Sequence, residues 1–169
     1  MDSKTIRILI TGTPGIGKTS LAKELGAILK CPVLNERQFA YENKIGEWNT
    51  GLNELEIGPK ELEKALNREI RKHKRIVVEG HLLCEMKLKV DYAIVLRVHP
   101  EILEMRLEAR GYSPEKVQDN VFCEGIDYCK KHMRRNCKKS KIIEIVSQRN
   151  IKKTKELTII ELRKRGAVI

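Results

Sequence analysis

Apolar residues in this 169-residue chain fall into short unbroken runs separated by longer stretches of helical period. The runs TIRILIT (5–11), a brief one near 32–34, RIVVE (75–79), DYAIVLR (91–97) and KIIEIV (141–146) are β-branched and show little apolar/polar alternation. A strand with one wet face would alternate, so unbroken runs predict strands buried on both faces. Between them the period is helical over 18–29, from the second strand to about 45, from Pro59 to about 73, over 100–110, over 114–138 and over 152–165. Pro59 suits the first turn of its helix, where its missing N–H costs nothing. The polar stretch GEWNTGLNELEIG (46–58) reads as a loop. Strands alternating with helices predict an α/β fold, a five-stranded parallel sheet with helices on both faces, in a single domain over 1–169.

Ligands of such sheets bind at the carboxyl ends of the strands. After the first strand stands Gly12-Thr13-Pro14-Gly15-Ile16-Gly17-Lys18-Thr19, a full G-x-x-x-x-G-K-[ST] match that opens the first helix. In that pattern glycines let the backbone wrap a phosphate, and the helix N-terminus adds partial positive charge. Lys18 is then expected to reach the β- and γ-phosphates of ATP, and the Thr19 hydroxyl to ligate Mg2+. Such a cradle needs a carboxylate at a neighbouring strand end to hold the metal through water. IVVEGH (76–81) supplies Glu79, with His81 two residues on. Taken alone, two polar residues after an apolar strand fit an ordinary surface loop as well.

Composition narrows the class. No apolar run reaches the roughly eighteen residues a membrane helix needs. The first ten residues lack a cleavage pattern, and five cysteines without a C-x-x-C pair suit a reducing compartment, so a soluble, cytoplasmic protein with no membrane partner is expected. Cys123, Cys129, His132 and Cys137 match none of the standard zinc spacings and read as helical core rather than as a metal site. The net charge of +11 is uneven: residues 1–129 hold 20 basic and 20 acidic side chains, and residues 130–169 hold 14 against 3. A basic block on a neutral body fits either a polyanion partner or a solvated, lysine-rich helical surface. The chain has no N-K-x-D guanine motif, and Arg97, Arg106 and Arg110 follow the fourth strand. Arginines on a closing segment are what phosphoryl transfer requires, although Arg106 and Arg110 also fit a solvated i,i+4 helix face.

The segments GTPGIGKTS, VEGH, LRVHP and RLEARGYSPEKVQDNVFCE together resemble the adenylate kinase isoenzyme 6 family, also described as a coilin-interacting nuclear ATPase and small-subunit assembly factor, in its archaeal branch. The resemblance covers nearly the whole chain and is most specific in RGYSPEKVQDNVFCE. It implies a nucleoside-monophosphate-kinase-like P-loop fold, an ATP:AMP phosphotransferase with ATPase activity, and a role in maturing the small ribosomal subunit. It puts ATP on Gly15, Gly17, Lys18, Thr19 and Ser20, with Arg110 reaching the phosphates from a lid at 109–119. Residues 34–57 would bind the monophosphate, AMP. His81 falls on a histidine associated with ATP hydrolysis. Ribosomal small-subunit protein or rRNA would dock on the basic region 130–169.

The chain departs from the eukaryotic pattern at Glu79, where those members carry Asp, and at Tyr41, where they carry Arg; Arg37 is then the nearest basic substitute. The loop SQRNIKK (147–153) fits the family's adenine-contacting loop poorly. Two other readings stand beside the kinase. One is an ATP-driven ribosome assembly factor. The other is a P-loop kinase of a small metabolite, with Phe39 and Trp48 lining its acceptor site.

Overall fold

The computed structural model describes residues 5–51, 54–56 and 58–169. The chain runs β1 (Ile6–Thr11), a glycine loop, α1 (Lys18–Leu29), β2 (Val33–Asn35) and α2 (Glu36–Glu42). An antiparallel hairpin of β3 (Glu47–Asn49) and β4 (Glu54–Glu56) follows, then α3 (Pro59–Lys72) and β5 (Arg75–Glu79). A 3-10 turn at Leu82–Glu85 leads to β6 (Tyr92–Arg97), α4 (Pro100–Ala109), α5 (Pro114–Gly125), α6 (Tyr128–Asn136), β7 (Ile142–Val146) and α7 (Ile151–Lys164).

Five of these strands form one parallel sheet in the order β2-β5-β1-β6-β7. The absence of alternation in the sequence has a direct cause here. Ile6, Ile8 and Ile10 of β1 pack with Leu21 and Leu25 of α1 and Leu162 of α7. Leu9 between them belongs to the opposite core, with Leu62, Leu66 and Ile70 of α3 and Met133 of α6. The central strand β1 therefore buries both of its faces, whereas the edge strands β2 and β7 are partly exposed. From β1 the chain first goes out to edge strand β2, then crosses back through β5 to β6 on the other side. That reversal opens a crevice beyond the carboxyl ends of the central strands.

Two expectations change. The polar stretch after 45 carries the β3–β4 hairpin, with Trp48 opposite Leu55; residues 52, 53 and 57 of the monophosphate segment lie outside the described residues. The single helix expected over 114–138 is two helices, α5 and α6, with Asp127 between them in the left-handed region at φ 60. Aspartate tolerates that conformation better than most residues. Arg97 at the end of β6 holds the break in place: its guanidinium bonds the carboxylates of Glu124 and Asp127 and the Glu124 carbonyl.

Glu124 is the centre of that arrangement. It is 3% exposed, and a buried carboxylate is stable only when its lone pairs are met. Arg97 Nε donates to Oε1 at 2.7 Å, the Val98 N–H donates at 3.2 Å, and the Thr13 hydroxyl donates to Oε2 at 2.7 Å. One side chain thus ties the end of β6, the α5–α6 break and the glycine loop together. Glu124→Ala would leave the buried Thr13 hydroxyl and Val98 N–H unmet and Arg97 short of a partner. It is expected to cost about 3 kcal/mol in urea unfolding, and Glu124→Gln, which keeps an acceptor, less.

Candidate active site

The loop between β1 and α1 folds as its glycines require. Gly12, Gly15 and Gly17 all have positive φ (150, 88 and 106), a region other residues enter at a cost. At Gly15 a side chain would also strike Leu107 Cδ2 at 2.6 Å, so only glycine lets the loop close over α4. The loop wraps the Lys18 ammonium, whose Nζ donates to the carbonyls of Gly12 at 2.8 Å and Thr13 at 3.0 Å. Burial pushes the Lys18 pKa below the ordinary lysine range; the fields of Glu36, Cys129 and Glu79 oppose it in that order. An ammonium held this way gains from a phosphate more than an exposed one does, because little water competes with it.

At the exit of β5, Glu79 is 2% exposed and accepts two bonds on Oε1, from the Thr19 hydroxyl at 3.0 Å and from Asn35 Nδ2 at 2.6 Å. The parallel register puts Asn35 of β2 directly beside Glu79. A hydroxyl and a carboxylate oxygen in contact at the mouth of the loop form a hard-oxygen donor pair. That pair fits Mg2+, which takes one or two protein oxygens and completes its shell with water and phosphate. Among the described residues no group of three His, Cys, Asp or Glu side chains could hold a metal on its own.

A second carboxylate enters from α2. Glu36, the first residue of that helix, is 1% exposed. Its Oε1 accepts the backbone N–H groups of His81 at 2.8 Å and Leu82 at 3.2 Å, and lies 2.9 Å from His81 Nδ1. Its Oε2 has no partner and is packed against Gly80. A Cβ at Gly80 would fall on the Glu36 carboxyl group, so the glycine in VEGH is a condition of this contact. Sequence reasoning missed Glu36. The pattern around Glu36 gave no signal; that Gly80 is there to admit a packed side chain rather than to make a turn shows only in the structure, where its φ is not positive.

These parts share one cleft of about 920 Å3. Its floor is Pro14, Gly15, Lys18, Thr19 and Glu79; one bank is Asn35, Glu36 and Arg37, and the other comprises Arg110, Tyr112 and Lys116. Of the expected site residues, Gly15, Lys18, Thr19, Glu79, His81 and Arg110 meet there. Ser20 is exposed on the first turn of α1, and it and Gly17 lie outside the lining. Arg37 is in the cleft, whereas Tyr41 is 73% exposed and outside it. Arg106 bonds the Ile16 carbonyl at 3.4 Å, which makes it a brace of the loop. Phe39 packs in the core beside Ala40, and no helix among the described residues is long and apolar enough to cross a membrane.

Comparison with known proteins agrees with the fold. Residues 8–127 match the family model described as an AAA domain. Proteins named "Putative adenylate kinase" from Pyrococcus furiosus and Thermococcus kodakarensis are 43% and 44% identical over 120 residues, 71% of this chain. The match covers 64% and 65% of those proteins, so the chain spans slightly less than two thirds of their length. A protein of the same name from Methanocaldococcus jannaschii is 39% identical over 125 residues, covering 73% of this chain and 70% of that protein. Among solved structures, shikimate kinase from Bacteroides thetaiotaomicron superposes with a TM-score of 0.66 at 18% identity, over 94% of this chain and 99% of that one. Deoxyadenosine kinase from M. mycoides does so with a TM-score of 0.59 at 16% identity, over 94% and 100%. These two likenesses concern the fold alone. By its motif, its sheet and these sequence matches, the chain belongs to the AAA-domain family of P-loop proteins, in company with the archaeal proteins of that kinase name.

Proposed function

We propose that the chain transfers the γ-phosphoryl group of ATP to a nucleoside monophosphate, AMP foremost, and hydrolyses ATP when water takes the acceptor's place. The observation that carries this reading is the single cleft with a phosphate cradle as its floor and arginines on both banks, Arg37 and Arg110. The names of the archaeal relatives support the same chemistry. The working unit is the domain 1–169, with 34–57 binding the monophosphate and 109–119 closing as a lid. Five free thiols suit a reducing compartment, and the cytoplasm is where this chemistry finds ATP.

In transfer, an oxygen of the acceptor's phosphate forms a bond to the γ-phosphorus. The bond to the β–γ bridging oxygen breaks, and ADP leaves with that electron pair. Lys18 and the loop from Gly15 to Gly17 bind the β- and γ-phosphates, and Thr19 and Ser20 continue that contact into α1. Thr19, and Glu79 through water, would hold Mg2+, which would supply charge neutralisation for the transferring group. Arg110 adds positive charge from the lid side, and Arg37 takes the acceptor's phosphate. In hydrolysis the nucleophile is a water, and His81 hydrogen-bonds it and accepts its proton.

With AMP present, two ADP are expected per ATP consumed; without it, one ADP and one phosphate. An ATP-consumption assay run with each monophosphate in turn tests this, and a rate that no monophosphate raises would overturn the kinase reading. Lys18→Ala should abolish both reactions while the chain stays folded by circular dichroism, at a lower Tm because the Gly12 and Thr13 carbonyls lose a buried donor. His81→Ala should cut hydrolysis at least tenfold, about 1.4 kcal/mol in the barrier, and AMP phosphorylation much less, whereas Glu79→Ala should damage both. Arg37→Ala should raise KM for AMP about tenfold, about 1.4 kcal/mol of binding, and leave KM for ATP unchanged.

A second role rests on the charge asymmetry. The basic excess begins at Lys130, just past the end of the family match at residue 127. There Lys130 and Arg134 pair with Glu144 at 2.8 and 3.3 Å, while Lys131, Arg135, Lys138 and Lys139 are exposed. That surface would dock small-subunit ribosomal RNA or its proteins, with ATP turnover driving a step of subunit maturation. Changing those four exposed residues to Glu should weaken binding to ribosomal particles and leave ATP turnover intact. Each lost phosphate contact lowers the log–log salt slope by roughly 0.7 to 0.9; an unchanged slope would make the block a solvated face.

A further inference from the structure

Asn35 ends the three-residue edge strand β2 and is the N-cap of α2. Capping accounts for half of its contacts. Its Oδ1 accepts the N–H groups of Arg37 at 3.1 Å and Gln38 at 3.0 Å, bonds that asparagine, aspartate and serine all make at a helix start. A cap does not explain the other end of the amide. Nδ2 donates to Glu79 Oε1 at 2.6 Å, across 44 residues of sequence, and that same oxygen takes the Thr19 hydroxyl at 3.0 Å.

The two ends fix each other. Turned over, the amide would set its oxygen against a carboxylate and its NH2 group against two N–H donors, so one orientation satisfies every partner. The alternatives at a cap do one job only. Serine ends a bond short of Glu79, and aspartate would place a second carboxylate against it. Because both protein donors fall on Oε1, Oε2 is the oxygen left for the metal's water. At its other end the amide holds the first turn of α2, from which Arg37 reaches the cleft.

We propose that Asn35 is a positioning residue that holds Glu79 and the start of α2 in one frame, so that the metal-side acid and the acceptor-side Arg37 keep a fixed relation. The proposal rests on the reading of Glu79 as the acid that holds Mg2+ through water and of Arg37 as the group that takes the acceptor's phosphate. Without the amide donor, Glu79 turns more freely about its side-chain bonds, its hold on a magnesium nucleotide weakens, and both reactions slow. Without the cap, the first turn of α2 frays and Arg37 loses its place. Asn35 acts through these two residues and takes no part in the chemistry.

Substitutions at Asn35 separate its two ends. Asn35→Ser keeps the cap and drops the bond to Glu79, Asn35→Asp keeps the cap and repels that acid, and Asn35→Ala drops both. Hydrogen exchange reads the cap without reference to activity: the Arg37 and Gln38 amides should stay protected in the Ser and Asp variants and exchange about fivefold faster in the Ala variant. Calorimetry reads the acid. The Ser variant should bind a non-hydrolysable ATP analogue about fivefold more weakly with Mg2+, and as the wild type does in EDTA. It should lose about tenfold in kcat for hydrolysis and for AMP phosphorylation at an unchanged KM for AMP, whereas the Ala variant should also raise that KM about threefold. A Ser variant with wild-type kcat and wild-type affinity for the magnesium nucleotide makes Asn35 an ordinary cap and overturns the proposal. Arg37 and Gln38 amides that exchange in the Ala variant as slowly as in the wild type overturn it too. Should the wild type phosphorylate no monophosphate, the kinase reading fails, and the exchange, calorimetric and hydrolysis results still decide the role of Asn35.

Discussion

The amide of Asn35 and the carboxylate of Glu79 meet at the ends of two adjacent parallel strands, and the geometry of the cleft depends on that contact. Nδ2 of Asn35 donates to Glu79 at 2.6 Å, while its Oδ1 caps α2 by accepting the N–H groups of Arg37 and Gln38 at 3.1 and 3.0 Å. A single side chain thus satisfies a buried acid with one end and the first turn of a helix with the other. The start of α2 is held against β5 as a result, and Glu36 and Arg37 are carried into the cleft. Glu36 in turn holds Gly80, His81 and Leu82. Thr19, which also donates to Glu79, ties the same point to the first turn of α1.

Charge is arranged around this point with little slack. Glu36 and Glu79 are both buried, and one buried ammonium, Lys18, stands near them. Such a site is poor at holding a bare triphosphate, since two acids already oppose it. On the proposed reading, Mg2+ and the peripheral arginines would make it favourable by arriving with the nucleotide. Arg37 and Arg110 are exposed on opposite banks, where holding their charge costs little until water is excluded.

The fold leaves acceptor choice open. Shikimate kinase and deoxyadenosine kinase share the sheet at under 20% identity, which separates the cradle from whatever is phosphorylated. In this chain the segment between β2 and α3 is short: one seven-residue helix and a small hairpin. Arg37 faces the cleft and Tyr41, one turn on, faces solvent, because residues four apart on a helix as short as α2 need not both reach an opening at its N-terminal end.

The sequence by itself determined the glycine loop, the acid at the exit of β5 and the five-stranded sheet. These are local matters: a loop that must have positive φ at fixed positions has to spend glycines there, and strands buried on both faces have to be apolar throughout. Only the tertiary structure decided the roles of Glu36 and Glu124, the break at Asp127 and the β3–β4 hairpin. An acid at a helix end is written the same way whether it is solvated or buried. What buries Glu36 is the exit of β5, 45 positions away, and what buries Glu124 is Thr13, 111 positions away. The break at Asp127 likewise depends on a guanidinium from another strand, Arg97, 30 residues earlier. Such contacts exist only after the sheet has brought distant strand ends together, and the pattern of the chain around each residue holds no trace of the partner.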